Sequence, residues 1–234
     1  MKSTSDKPSA LTLKGTGNAT ERVLAAVREA IVDLELPPGA LIDKGALCSS
    51  FGVSRFPVSD ALTRLQAEGL VEVLPQRGTR VARIRMSDVT QAMFIRRALE
   101  VEMVRTLAPN ASDAFIAELE MNIGYQQVTV ERGDPRAFHR LDLAFHELML
   151  RELGSPRVTV AIDTARSSLE RARRMLSWPR RHADTLVEHR AIFEALKARD
   201  GAAAAMAMDN HLNAVLTELT TFMAVNPAVF ESPE

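Results

Sequence analysis

The stretch that decides the fold is FGVSRFPVSDALTRLQAEGL, residues 51–70. Gly52 follows the apolar Phe51 and can adopt a positive φ, so it is suited to end one helix, while Pro57 is suited to begin the next. Four apolar residues then recur at helical spacing and predict one buried face: Val58, Ala61, Leu62 and Leu65. The stretch therefore predicts two helices joined by a tight turn.

The other faces of the second helix carry residue types suited to DNA. Arg55, Ser59, Thr63 and Arg64 all lie off the apolar face. Short polar side chains and arginines near the N-terminal end of such a helix can reach base edges and phosphates. These four residues are therefore the predicted contacts with the major groove.

A two-stranded wing is predicted directly after this helix. Gly69 is suited to end the helix, and the apolar alternation of residues 71–73 and 79–81 flanks a turn that carries Arg77 and Gly78. An arginine at the tip of a wing can contact phosphate. Helix, turn and wing together predict a winged helix-turn-helix, although another small α+β unit would share this periodicity.

The composition is that of a globular protein with room for two domains. The chain has 234 residues, of which 46% are hydrophobic and 25% charged. Its formal net charge is −1, but residues 1–85 carry 12 Lys or Arg against 9 Asp or Glu, and residues 86–234 carry 17 against 21. The mildly basic first part fits a nucleic-acid partner. Residues 1–19 lack the apolar core of a signal peptide and no apolar run is long enough to cross a bilayer, so we expect a flexible tail, no membrane partner and a cytoplasmic location.

The remainder of the chain is predicted to be helical. Thr20 is the predicted cap of a first helix that packs on the helix-turn-helix. The predicted domains are a winged helix-turn-helix over 20–82, a linker over 83–87, a helical domain over 88–224 and a flexible tail over 225–234. Spacing of apolar residues predicts six helices in the third part: 88–107, 113–132, 135–153, 156–177, 180–199 and 202–224. The predicted fold class is mainly α with a small α+β part, a winged helix-turn-helix followed by an antiparallel six-helix bundle.

Four polar residues on otherwise apolar helix faces are candidate metal ligands. Asp142 and His146 are four residues apart and project from one side of one helix. His189 and His211 lie on two later helices, so all four can converge inside an antiparallel bundle. Three imidazoles and a carboxylate suit a divalent transition metal, with zinc or nickel favoured and manganese as an alternative. Spacing alone leaves open the alternative that they are hydrogen-bonded core residues.

Two classes of function compete at this point. One is an effector-responsive transcription regulator, and the alternative is a metal-dependent hydrolase fused to a winged helix. A hydrolase needs a general base beside the metal, for which Glu147 and Glu188 are the candidates. Each is one residue off the ligand face, about 100° around its helix. The sequence therefore favours a regulator that is not an enzyme.

The run from Pro37 to Val81 resembles the DNA-binding domain of the GntR family of bacterial transcription regulators. The resemblance is carried by PPG before a short strand, by VSR-x-PV-x-x-AL with a downstream GL, and by RG in the wing. It implies binding to double-stranded operator DNA. Because a single short recognition helix reads too few base pairs for useful specificity, we expect a homodimer on a two-fold site. The chain departs from the family pattern at Phe56, where Thr or Ser is usual, and at Ser59, where Arg is common. The position of Phe56 is still predicted to contact DNA, but its side chain lacks the hydroxyl that would cap the helix.

Residues 88–222 resemble the FCD ligand-binding domain of the FadR-like subgroup of that family. The matching segments are IRRALE at 95–100, DLAFHELM at 142–149, EHRAIFEALKARD at 188–200 and MDNHL at 208–212. In metal-binding members an Asp and three His hold the metal, which implies that role for Asp142, His146, His189 and His211. The resemblance also implies a small organic acid as effector. Arg96 is the first candidate for its carboxylate, with a solvated or structural arginine as the alternative, and Arg166 is the second candidate.

Overall fold

The computed structural model describes residues 17–176 and 179–231. Most of them are helical, with one small sheet, so the predicted fold class is confirmed. The elements in chain order are α1 (Ala19–Val32), β1 (Leu41–Ile42), α2 (Lys44–Phe51), α3 (Arg55–Ala67), β2 (Val71–Leu74), β3 (Gly78–Val81), α4 (Met86–Leu107), α5 (Asp113–Arg132), α6 (Pro135–Leu153), α7 (Pro156–Met175), α8 (Pro179–Lys197) and α9 (Gly201–Val225). Two compact units result: Ser87–Ala224 form one, and the residues before and after them form the other.

The first unit is a winged helix-turn-helix. The helix α2 ends at Gly52 in the left-handed conformation, with φ 63°, and α3 follows after a short turn. The strands form an antiparallel sheet in the order β1-β3-β2, and the β2–β3 hairpin pairs Val71 with Val81 and Leu74 with Gly78. The wing therefore has a third strand, β1, as the PPG resemblance implied.

The apolar face of α3 forms part of the core of this unit. Val58, Ala61, Leu62 and Leu65 are all buried there, together with apolar residues of α1, α2 and the sheet. The helix begins at Arg55, two residues before the predicted start at Pro57. Ser54 has the extended backbone of an N-cap residue, and a proline is tolerated throughout the first turn because its missing N–H would have no intrahelical partner.

Two expectations at the ends of this unit differ from the structure. The cap of α1 is Asn18 instead of Thr20: its side chain accepts from the Glu21 N–H, and the Glu21 carboxylate accepts from the Asn18 N–H. The predicted flexible tail from residue 225 is ordered as far as residue 231. Phe230 is 2% exposed and its backbone forms a parallel bridge with Ile84. A single buried aromatic ring anchors this short segment, and hydrophobic periodicity cannot detect that.

The second unit consists of the helices α4 to α9. Their boundaries follow local signals: Ser112 caps α5 by accepting from the Phe115 N–H at 3.1 Å, and Gly133 and Gly154 end α5 and α6 with positive φ. The predicted end of the helix α7 is residue 177, but the helix ends at Met175 in the structure. Residue 177 lies outside the described residues. No helix in the described part of the chain is both long and apolar enough to cross a membrane.

An ion pair between α6 and α7 lies within this unit. Nε2 of His139 lies 2.6 Å from Oε1 of Glu170, and Arg174 donates to the same oxygen at 2.7 Å. Burial acts to raise the pKa of Glu170, but His139 and the arginines outweigh it and hold that pKa at about 2. Glu170 is therefore ionised and held between His139 and Arg174.

Candidate metal centre and DNA-binding surface

Three histidines meet in the interior of the helical unit. His146 on α6, His189 on α8 and His211 on α9 each have no exposed surface. One ring nitrogen from each lies within 4.8 Å of the other two. The helix periodicity explains the convergence, since each histidine lies on the face of its helix that carries buried apolar residues.

Each histidine has an oxygen beside its Nδ1 atom. Nδ1 of His189 is 2.9 Å from Oε1 of Gln126, and Nδ1 of His211 is 2.8 Å from Oε2 of Glu188. Nδ1 of His146 lies 2.7 Å from Oε2 of Glu100. The three Nε2 atoms are buried and have no hydrogen-bond partner among the described residues; Nδ1 of His146 lies close to Glu100 but does not meet hydrogen-bond geometry either. Buried polar atoms are nearly always satisfied, so three unsatisfied Nε2 atoms at one point indicate a bound ligand.

The tautomer of His189 is fixed by a chain of hydrogen bonds that ends on the backbone. The carbonyl oxygen of Leu141 can only accept, so Asn122 donates to it through Nδ2 at 3.1 Å. Oδ1 of Asn122 then accepts from Nε2 of Gln126 at 2.7 Å, which turns Oε1 of Gln126 toward His189. His189 must donate through Nδ1, which leaves Nε2 without a proton. A neutral imidazole in this tautomer is the form that binds a metal.

The electrostatics of the cluster favour the neutral form of His146 and His189. Burial lowers the pKa of His146 to about 4, although Glu100 opposes the shift. Burial also lowers the pKa of His189 well below its usual range, and the neighbouring His211 adds to that effect. Glu188 acts beside His211 as an ionised acceptor: burial acts to raise its pKa, but hydrogen bonds from His211 and Arg181 outweigh it. The Nε2 atoms of His146 and His189 are therefore available as ligand atoms at neutral pH, and the contact of His211 Nδ1 with Glu188 leaves the Nε2 side of that ring facing the cluster.

Asp142, the fourth predicted ligand, lies at the edge of this cluster. Its Oδ1 atom is buried, has no hydrogen-bond partner among the described residues and lies 3.6 Å from Nε2 of His189. Its Oδ2 atom accepts from Arg173 at 2.5 Å. Burial acts to raise the pKa of Asp142, but the charge of Arg173 outweighs it and holds that pKa well below its usual range. The free oxygen of an ionised carboxylate thus lies beside the three imidazoles, and this donor set fits a divalent transition metal.

Three arginines surround the histidines. Arg96, which has no exposed surface, donates through Nε to Oε1 of Glu100 at 2.6 Å, and Arg166 donates to the Leu143 carbonyl oxygen at 3.4 Å. One guanidinium nitrogen on each of Arg96, Arg166 and Arg173 is buried without a hydrogen-bond partner in the described part of the chain. Arg96 and Arg166 are close enough that their charges contribute to the lowered pKa of His146. The surroundings of the cluster therefore offer N–H groups to an anion.

The two glutamates considered as a general base are placed differently. Glu188 is engaged on both oxygens, since Arg181 donates to them at 2.7 and 2.8 Å. Glu147 is exposed and lines a surface groove between α5 and α6 with Met121 and Arg151. A base must be free to take a proton from a water beside the metal, and neither carboxylate is arranged for that.

The predicted DNA contacts lie together on the surface of the first unit. Arg55, Phe56, Ser59, Thr63 and Arg64 are all exposed on α3, on the side away from its buried apolar face. Arg77 and Gly78 are exposed at the tip of the wing. Arg64 also forms an ion pair with Asp60 at 3.1 Å, one turn earlier in α3. The structure thus presents the polar face of α3 and the wing tip to solvent.

Comparison with known proteins defines the class. Residues 19–81 match the family model described as "Bacterial regulatory proteins, gntR family", and residues 91–214 match the FCD domain. The chain is 34% identical to an uncharacterized HTH-type transcriptional regulator of Streptomyces ambofaciens over 92% of both chains. It is 31% identical to the HTH-type transcriptional repressor RspR of Escherichia coli over 87% of this chain and 90% of that one. A putative GntR regulator from Rhodococcus has the same fold, with a TM-score of 0.70 at 23% identity over 86% of this chain and 97% of that one. These matches define a DNA-binding transcription regulator and not an enzyme. The chain belongs to the GntR family and carries an FCD domain.

Sequence reasoning did not find the residues that support the histidines. Gln126 gives no signal, because a glutamine on a helix predicts nothing about a partner 63 residues away. Glu100 follows Arg96 by four residues and looks like an ordinary helical ion pair, although it also faces His146. Arg173 lies one turn from Glu170 in an arginine-rich helix and has no pattern that separates it from solvated arginines.

Proposed function

We propose that this chain is a cytoplasmic repressor that binds operator DNA as a homodimer, and that a small mono- or dicarboxylate bound beside a divalent metal controls its operator affinity. The observation that carries the metal part is the set of three buried Nε2 atoms without partners, each on a ring whose Nδ1 atom faces an oxygen. Oxygen acceptors on the far nitrogen are the usual support of metal-bound histidines.

The residues that would hold the metal are His146, His189 and His211, with Asp142 through its free oxygen. The donor set favours zinc or nickel, with manganese as the alternative. When bound, the metal would offer an open coordination position to a carboxylate oxygen of the effector. Its proposed role is structural and ligand-presenting, because the neighbouring glutamates are occupied or on the surface.

The charges around the cluster support an anionic effector. The guanidinium groups of Arg96, Arg166 and Arg173 face the carboxylates of Glu100 and Asp142, so one positive charge is in excess before any metal binds. A carboxylate can accept from the guanidinium N–H groups that have no partner while it neutralises this charge. An uncharged sugar would leave the excess unbalanced, and a protonated amine would add to it.

Operator recognition is assigned to α3 and the wing. Arg55, Ser59, Thr63 and Arg64 would enter the major groove, with Arg77 and Gly78 on the adjacent backbone. A single short helix reads few base pairs, so useful specificity requires two copies on a two-fold site. The name of the relative from Escherichia coli, a repressor, supports repression as the mode of action.

Metal content tests the central claim. Protein purified without chelator should contain about one zinc, nickel or manganese per chain, and chelation should lower the melting temperature because the metal binds only the folded state. His189→Ala should abolish stoichiometric binding, whereas His182→Ala, on the same helix but stacked on Phe138, should retain it. The claim fails if no metal is bound and none rebinds with measurable stabilisation when supplied.

The effector is tested with the same metal-loaded protein. A panel of mono- and dicarboxylates, each paired with its amide, should contain an acid that raises the melting temperature only when metal is present. Arg166→Gln should abolish that shift. Arg96→Ala is a poorer test, because it leaves Glu100 as a buried unpaired charge and destabilises the fold. If amides and acids act alike, the effector is not recognised through its charge.

DNA recognition is tested on a duplex selected in vitro from random sequences. Arg55→Ala should weaken binding to the selected duplex by about 1–3 kcal/mol with little effect on random DNA. Arg77→Ala should weaken both to a similar extent, because a phosphate contact carries no sequence information. Equal losses on both duplexes for Arg55→Ala would contradict base recognition by that residue.

A further inference from the structure

The first turn of α3 exposes a large aromatic ring. Phe56 is 77% exposed, although the next two residues, Pro57 and Val58, are buried in the core. Isolated exposed apolar residues are common on protein surfaces and need no explanation by themselves. The position of Phe56 is what sets it apart, because it lies at the N-terminal end of the second helix of a helix-turn-helix.

The neighbours of Phe56 are the residues that would face DNA. Ser59 and Thr63 follow it by three and seven positions, so the three side chains form one exposed stripe along α3. The hydroxyl of Thr63 donates to the Ser59 carbonyl oxygen at 3.0 Å, which holds this side chain against its own helix. Arg55 is exposed beside the ring. The phenyl ring thus lies within a polar and cationic surface whose complement is polyanionic.

The start of α3 also favours a close approach to the DNA backbone. Its first turn carries no acidic residue, and Ser54 makes no side-chain capping hydrogen bond within the described residues. Backbone N–H groups at such a helix start can bind a phosphate. A helix anchored in this way presents the side chains of its first turn to the base edges.

The chemistry of the ring then selects the group that it can contact. A phenyl ring has no hydrogen-bond donor or acceptor and no charge, so it can neither read the polar base edges nor pair with a phosphate. The apolar group that the major groove presents is the C5-methyl of thymine. We infer that Phe56 is a specificity-determining residue that contacts a thymine methyl in each half of the operator. This inference rests on the proposed DNA binding.

The test uses the full-length protein and a duplex recovered by in vitro selection with the wild-type chain. Each thymine is replaced in turn by deoxyuridine, which removes only the methyl group, and affinity is measured by fluorescence anisotropy. One position in each half-site should weaken wild-type binding about fourfold, the equivalent of one buried methyl group. Replacement in both half-sites should weaken it about fifteenfold.

Phe56→Ala separates this contact from a structural role. The variant should bind the parent duplex at least fourfold more weakly and should no longer distinguish deoxyuridine from thymine at the sensitive position, whereas Phe56→Leu should retain part of that discrimination. The melting temperature should not change, because the ring is exposed. The slope of affinity against salt concentration should also be unchanged, in contrast to Arg77→Ala, which should reduce it by about one. Phe94→Ala, which removes a ring that is 75% exposed on α4, should leave the discrimination intact.

Two results would overturn the inference while leaving DNA binding in place. Either the wild-type protein tolerates deoxyuridine at every thymine of the selected duplex, or Phe56→Ala keeps the sensitivity of the wild type. Failure to recover any duplex would have a different meaning, because it would refute the proposed DNA binding and the contact of Phe56 with it.

Discussion

Removing the support of His189 should weaken metal binding without removing a ligand. Oε1 of Gln126 lies 2.9 Å from Nδ1 of His189, and both residues are fully buried. In Gln126→Leu the side chain has a similar volume but no acceptor, so the Nδ1–H group is left buried and unsatisfied at a cost of about 1–3 kcal/mol. The tautomer and ring orientation of His189 are then no longer fixed. Loss of such a support reduces metal affinity by about 10–100-fold, or about 1.4–2.8 kcal/mol.

The assay is a competition between the protein and a chromophoric chelator for zinc, read as a dissociation constant. Gln127→Leu is the matched control, because the neighbouring glutamine lies on α5 too, but bonds to Glu131 and Arg190 and not to a histidine. The control should keep the wild-type affinity. An unchanged zinc affinity in Gln126→Leu, in a protein that remains folded, would refute the claim that this hydrogen bond orients a metal ligand.

Three further predictions concern stability. Phe230→Ala should lower the free energy of unfolding of the unit that contains the winged helix by about 3 kcal/mol, because a buried phenyl ring is lost. Urea denaturation would measure this loss, and an unchanged midpoint would mean that the segment is not docked in solution. Gly201→Ala should lower the melting temperature, because the new Cβ would lie 2.8 Å from a backbone carbonyl oxygen of α4. Gly124→Ala, with open space around it in α5, should raise the melting temperature. A higher melting temperature for Gly201→Ala than for Gly124→Ala would contradict the packing. The pKa of Glu170 is about 2, below its ordinary 4.5, so its ion pair adds at most about 3 kcal/mol of stability above pH 4.5. This stability is lost as the pH falls toward 2. Glu170→Gln should flatten that acid loss, which denaturant titrations between pH 3 and 7 would measure.

The fold could be predicted because its signals are local. The turn at Gly52, the apolar face of α3 and the hairpin alternation each lie within a few residues, and the helix ends at Ser112, Gly133 and Gly154 follow capping rules. The cap of α1 and the first residue of α3 each lie two residues before their predicted positions, but the error at the C-terminal segment has a different character. The order of the segment around Phe230 depends on a contact with Ile84, 146 residues earlier, and no periodicity encodes that contact.

The candidate site, like the fold, has residues that local sequence patterns predict and partners that those patterns do not reveal. His146 and Asp142 share a helix face by spacing alone, and the apolar neighbours of His189 and His211 already placed them in the interior. The partners of those histidines could not be found, because Gln126 and Glu188 lie on a different helix from the histidine that each supports, and no local pattern connects them. Glu188 illustrates the limit, because its residue type suggested a general base and its contacts with Arg181 and His211 give it a supporting role.

The histidine cluster and its supporting side chains come from every helix of the unit that contains them. Glu100 comes from α4, Gln126 from α5 and Arg173 from α7, while the histidines come from α6, α8 and α9. A ligand bound at this cluster would therefore lie close to side chains from all six helices. The chain leaves this unit at its two ends, before α4 and after α9, and both ends continue into the unit that carries α3.

An effector can alter operator affinity only by the difference in its own affinity between the two states, so operator DNA must change the affinity for the acid by the same factor. Titration of the acid into metal-loaded protein, with and without the selected duplex, would measure that factor directly, and equal affinities in the two titrations would exclude the acid as the signal.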